Sequence, residues 1–152
     1  VIAATFMSIL AQISIWMSIP FFSFELFLGA LITGQKSGSF TWLIGFAWHL
    51  LNGGIFALIY RAIFRAIGRG GAGFGSLLGL GQWFVAGMLL PLVTRSHGFA
   101  WSSWGAATFV GTLILHLSFG ATVGLAYLSQ LQAQEPLSDS EFDSSEIHPK
   151  AS

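Results

Sequence analysis

The chain has 152 residues, of which 54% are hydrophobic and 8% charged, against roughly 25% charged in an ordinary soluble domain. Residues 1–130 hold Glu25, Lys36, Arg61, Arg65, Arg69 and Arg95, and the last 22 residues hold six more charges, so a net charge of zero splits into +4 and −4. Too few charges remain to coat a soluble enzyme or a basic nucleic-acid-binding face, and the lack of any cysteine excludes a disulfide-stapled secreted domain.

In chain order, residues 1–19 carry no charge and stop before Pro20, and they predict a first membrane span. This stretch lacks a basic start and a small-residue cleavage site, and it is longer than the core of a signal peptide. Without an initial methionine the sequence is expected to continue upstream. Residues 21–33 are apolar and aromatic but interrupted by Glu25, and they end in the glycine-containing stretch 34–38. They are too short to cross, since a span needs about 20 residues, and they predict an interfacial or re-entrant helix. The alternative is one helix over 1–33, kinked at Pro20. Glu25 is expected to snorkel toward the headgroups.

Three further uncharged stretches follow: 40–60 with His49, 75–94 with Gln82 and Pro91, and 105–128 with His116. In hydrocarbon every backbone N–H and C=O needs an internal partner, so only helices or closed barrels span it. The apolar runs do not alternate with period two, which excludes a barrel. The expected fold class is all-α integral membrane, a four-transmembrane-helix bundle with an added interfacial or re-entrant helix.

Orientation follows the cations. The connection 61–74 carries Arg61, Arg65 and Arg69, whereas the opposite-side segments hold only Lys36 and Arg95. The positive-inside rule places the arginines and both termini in the cytoplasm, where the three guanidinium groups suit anionic lipid headgroups. The connection 95–104 then faces outward, with Trp101 and Trp104 as interfacial anchors and His97 exposed to solvent. Residues 68–75 are glycine-rich but lack the Gly-Lys-Ser/Thr ending of a phosphate loop, and predict a turn. The acidic stretch 131–152 predicts a disordered cytoplasmic tail, either simply solvated or in contact with the arginines that share its face.

One pattern rises above composition. His49 through Tyr60 and His116 through Tyr127 both read H-L-x-x-G-x-x-x-x-L-x-Y, 67 residues apart, and Trp16 and Trp83 repeat the same offset. The chain is therefore expected to contain two parallel helix-pair repeats, related by an axis along the membrane normal. Helical periodicity aligns His49, Gly53, Phe56 and Tyr60 on one stripe, with Asn52 beside it, and His116, Gly120, Val123 and Tyr127 on another. Glycine one turn after each histidine lets a neighbouring helix or a planar ligand approach. Gly53 with Ala57, Gly75 with Gly79 and Gly120 with Gly124 are small-residue pairs that bring helices together in lipid. Tyr60 and Tyr127 are expected near the cytoplasmic interface, where a phenol can stay wet.

Size, four spans, the two histidine repeats, the basic central connection and short outer loops resemble the uncharacterised small four-helix inner-membrane proteins of bacteria. The resemblance covers roughly residues 20–130. It implies a multi-pass protein of the bacterial cytoplasmic membrane and transfers no activity and no catalytic residue.

No Ser-His-Asp order, carboxylate pair or HExxH motif appears, so no enzymatic role is expected. The intramembrane polar residues are His49, Asn52, Gln82 and His116. The favoured reading makes the histidines hydrogen-bonding register pins in a structural or accessory subunit, with lipid, other subunits or a second copy as partners and no nucleic acid. One alternative is axial ligation of haem b or a chlorin by His49 and His116. The other is a proton or small-solute path through the same residues with Asn52 and Gln82.

Overall fold

A computed structural model describes residues 1–16, 23–94 and 105–133. The described residues form five α-helices and no strand: α1 Ile2–Trp16, α2 Phe24–Thr33, α3 Ser39–Ile67, α4 Ala72–Thr94 and α5 Ala106–Gln132. Three of them, α3, α4 and α5, are long and apolar enough to cross a membrane, which fits a membrane protein. The 15 residues of α1 rise about 22 Å, short of the roughly 30 Å hydrocarbon layer. Leu51, Ile55 and Leu58 on α3, Leu77, Phe84 and Leu89 on α4 and Ile114 and Leu125 on α5 are exposed. Those outward apolar faces suit contact with lipid.

Short connections and backbone contact set the topology. Gly68 ends α3 in the left-handed region at φ 71°, its N–H bonded to the Phe64 carbonyl, a glycine-terminated helix end that turns the chain directly into α4. Along the α4–α5 contact, Gly71 faces Gly124, Gly75 faces Gly120, and Gly79 faces the His116 carbonyl. One turn further on, the Trp83 indole N–H donates to Thr112 Oγ1 at 3.1 Å. Each step advances four residues on one helix and retreats four on the other, so the pair is antiparallel and its seam runs most of the length of α4. A Cβ built on Gly75 or Gly120 would fall inside the opposing backbone, which is why glycine occupies both. The Gly71 N–H donates to the Gly124 carbonyl at 3.1 Å and pins the seam's end.

A second antiparallel seam joins α2 to α3. Gly29 lies against the Thr41 backbone and Gly45 against the Glu25 carbonyl, while the Thr33 and Thr41 hydroxyls sit 3.4 Å apart. Opposite this seam's far end, α1 crosses α3 where Ala4 meets Gly53. Ala3, Ala4 and Met7 of α1 then close a core with Tyr60, Phe64 and Phe119, where the Tyr60 ring meets Phe64 edge-on at 6.2 Å and Phe119 edge-on at 5.8 Å.

Several expectations change. The helix of 21–33 starts only at Phe24, where Ser23 is its N-cap in extended conformation and accepts from the Leu26 N–H at 3.3 Å. An N-capped start excludes one continuous helix over 1–33. The basic connection is mostly helix, because α3 runs on through Arg61 and Arg65 to Ile67. Likewise α5 continues to Gln132, so the first residues assigned to the tail are helical. The expected pairing of the first two spans also differs: α3 is lined by the short α2 over one part and by α1 over another. Trp16 is 77% exposed and Trp83 6%, so the two tryptophans 67 apart do not share an environment. The ends of the first and third inter-span regions (17–22 with Pro20, and 95–104 with Arg95, His97, Trp101 and Trp104) and residues 134–152 of the acidic tail lie outside the described residues.

Candidate functional site

Both histidine stripes point inward, and they meet in one place. His49 is the eleventh residue of α3 and His116 the eleventh of α5. The two helices run the same way, since α4 is antiparallel to both, so the imidazoles stand at similar heights. Both line a chamber of about 300 Å³ among all five helices. Asn52 and Gly53 of α3 and Gln82 of α4 line it too, so every intramembrane polar residue singled out in the sequence faces one cavity.

Structure adds a residue the sequence reading placed elsewhere. Glu25 is 5% exposed and lines the same chamber, rather than snorkelling to the headgroups. The cause is the α2–α3 seam: Glu25 and Gly29 lie on one stripe of α2, and Gly45 draws that stripe onto α3 until the Glu25 backbone touches it. Its carboxylate sits in the first turn of α2, where the positive helix end favours an anion, and it accepts from the Ser23 hydroxyl at 3.5 Å. Of the body's cations, Lys36, Arg61, Arg65 and Arg69 are exposed. Lys36 lies beyond the far end of α2, and Arg61 is 16 residues past Gly45 on α3, about 24 Å by helical rise. Arg95 lies outside the described residues.

The His116 imidazole is fixed by backbone. Its Nδ1 lies 2.7 Å from the Thr112 carbonyl, an acceptor, so Nδ1 carries the proton and Nε2 keeps its lone pair in the neutral ring. The His49 ring lies near the Ala4 backbone of α1 and meets Phe24 of α2 edge-on at 5.6 Å. A ring held at one nitrogen presents the other as acceptor or ligand.

The remaining polar groups divide sharply. The Tyr60 hydroxyl donates to Gln82 Oε1 at 2.6 Å, and Tyr60 is 3% exposed, so the phenol expected to stay wet is buried and orients a chamber residue instead. Thr112 accepts from Trp83 and donates to the Phe109 carbonyl at 3.0 Å. The Ser8 hydroxyl of α1 is buried without a hydrogen-bond partner among the described residues, and Ser8 lines the chamber. Gly120 and Tyr127 are not part of it. Gly120 is consumed by the α4–α5 seam, and the Tyr127 ring packs against Phe64 at a tilt, with centroids 5.1 Å apart. Among the described residues no group of three His, Cys, Asp or Glu side chains is placed to hold a metal ion.

Trp48 and Leu31, both chamber-lining, are also exposed on the outer surface at 45% and 53%. The chamber therefore reaches the apolar flank of the bundle. The sequence reading missed Glu25 as a chamber residue; the one available signal was its four-residue spacing to Gly29 and Thr33, small side chains that mark a helix contact. Ser8 carried no comparable signal. No protein family, curated protein or solved structure matches this chain.

Proposed function

We propose that the protein is a multi-pass membrane carrier for a small solute, with the chamber between His49, His116, Glu25, Asn52 and Gln82 as its binding site. The supporting observation is the convergence of these five side chains, from four helices, on one cavity. Polar and ionisable groups are costly in hydrocarbon and are retained where they line a path or hold a guest. Register alone accounts for the direct bonds of His116 and Gln82, but it does not account for one cavity shared by all five side chains. A purely structural or accessory role leaves the shared cavity without a purpose. A carrier gives it one.

The same reading includes a fourth crossing that involves α1, a bacterial cytoplasmic-membrane location with both termini inside, and descent of the two histidine helices from a repeated pair. In support, α1 begins at the end of the bundle where Arg61 lies, as their shared groove with Gln130 requires. The haem or chlorin alternative is less well supported. A chamber of about 300 Å³ lies at the small end of small-molecule sites and suits a compact guest better than a tetrapyrrole. A Soret band in the purified protein, lost in His49→Ala and His116→Ala, would reverse that preference.

The cysteine-free sequence supplies the test. In proteoliposomes, Asn52→Cys should react with a water-soluble, membrane-impermeant methanethiosulfonate, whereas Leu51→Cys on the exposed face should not. Equal inertness of both would reject a chamber that opens to water.

A further inference from the structure

Resting on the carrier reading, we propose that the chamber's guest is a compact hydrophobic cation, such as an aryl quaternary or protonated amine, held by Glu25. Three features of the lining point there. The first is charge: Glu25 is the single acidic residue of positions 1–130, it is buried, and the body's described cations lie at the far end of α2 or well along α3. Its place in the first turn of α2 sets it at a positive helix end, which carries only partial charge. Among the described residues no Lys or Arg stands beside it, and a cationic guest would supply the full counter-charge.

The second is the aromatic lining. Phe24, Trp48, Phe56 and Phe119 surround the same space, and ring faces attract cations while offering apolar contact to the rest of the guest. An anionic guest would meet Glu25 as a like charge. A strongly hydrated guest would find too few polar partners, since the polar ones are confined to Glu25, the two imidazoles, two amides and the Ser8 and Thr112 hydroxyls. The third is access. With Trp48 and Leu31 both on the outer surface, the chamber meets the lipid-facing flank, so a molecule already dissolved in the bilayer can reach it.

Phenyltrimethylammonium and tert-butylbenzene are a fitting pair of probes: nearly the same shape, one permanently positive and one neutral. In lipid nanodiscs, dicyclohexylcarbodiimide should label Glu25, read by peptide mass and separated by position from the acids of the tail. Saturating phenyltrimethylammonium should reduce that labelling at least fivefold, and tert-butylbenzene should not. Saturable binding of radiolabelled phenyltrimethylammonium should weaken tenfold or more in Glu25→Gln and survive in Glu25→Asp, which keeps the charge. The labelling arm uses the unaltered chain, so a folding defect in either variant leaves it intact. Equal protection by both probes would overturn the cation assignment while leaving the chamber as a binding site. No protection by either, with Asn52→Cys still reactive toward the aqueous reagent, would overturn the cation assignment alone. Failure of Asn52→Cys to react would remove the carrier reading along with it. A Glu25 that resists the carbodiimide even in mildly acidic buffer, where its carboxyl is protonated and reactive, would also overturn the proposal, because a lipophilic guest would then have no route to it.

Discussion

The α4–α5 and α2–α3 pairs are built on the same device and end differently. Both bring backbones together through small residues spaced by four. In α4–α5 the small residues continue from Gly71 to Gly79 on one side and from Gly124 to Gly120 on the other, and the run finishes in the Trp83–Thr112 hydrogen bond. In α2–α3 the close contact stops at Glu25 and Gly45, because α2 has only 10 residues. Beyond that point α3 is met by α1 at Gly53, and the chamber occupies the gap between the two contacts. A complete seam makes a wall. An interrupted one makes a site.

That contrast can be broken by experiment, beginning with the largest effect. Gly75→Leu or Gly120→Leu drives a side chain into an opposing backbone that cannot retreat, and should cost about 3 kcal/mol, the upper end for overpacking, measured by denaturant titration in mild detergent. Gly45→Leu meets an equally close backbone, but the short α2 can lift away. Its cost should be nearer about 1–2 kcal/mol, accompanied by faster labelling of Asn52→Cys as the chamber wall opens. Equal losses at Gly45 and Gly75 would make the two seams equivalent and undo the comparison. Trp83→Phe and Tyr60→Phe each delete one interhelical bond and should lower stability by about 1 kcal/mol, within the range for such bonds in membrane proteins. Tyr60→Phe should also alter the chamber by freeing the Gln82 amide, whereas after Trp83→Phe the Thr112 hydroxyl keeps its bond to the Phe109 carbonyl. Thr33→Val removes a long contact to Thr41 at 3.4 Å near the exposed end of α2 and should shift stability by no more than about 0.5 kcal/mol.

The sequence made the spans legible because continuous apolar runs have one stable form in hydrocarbon. It also made His49, Asn52, Gln82 and His116 legible as inward-facing, since polar groups avoid lipid. What it concealed has a common cause. Glu25, Ser8 and Tyr60 take their roles from which helix packs beside them, and partner choice depends on backbone approach at glycines rather than on any residue's own chemistry. Read alone, a carboxylate beside phenylalanines looks interfacial; only the contact of Gly45 with its carbonyl turns it inward. Gly120 shows the converse. It shares a motif with Gly53, yet Gly120 serves a helix contact alone, whereas Gly53 both meets Ala4 of α1 and lines the cavity, because their neighbours differ.

The length of α3 carries one more consequence. Its 29 residues form a rod of about 43 Å, longer than the roughly 30 Å apolar layer of a bilayer, with His49 on the chamber and Arg61 and Arg65 exposed toward its other end. One continuous helix therefore carries both an imidazole of the chamber and the guanidinium groups nearest its far tip.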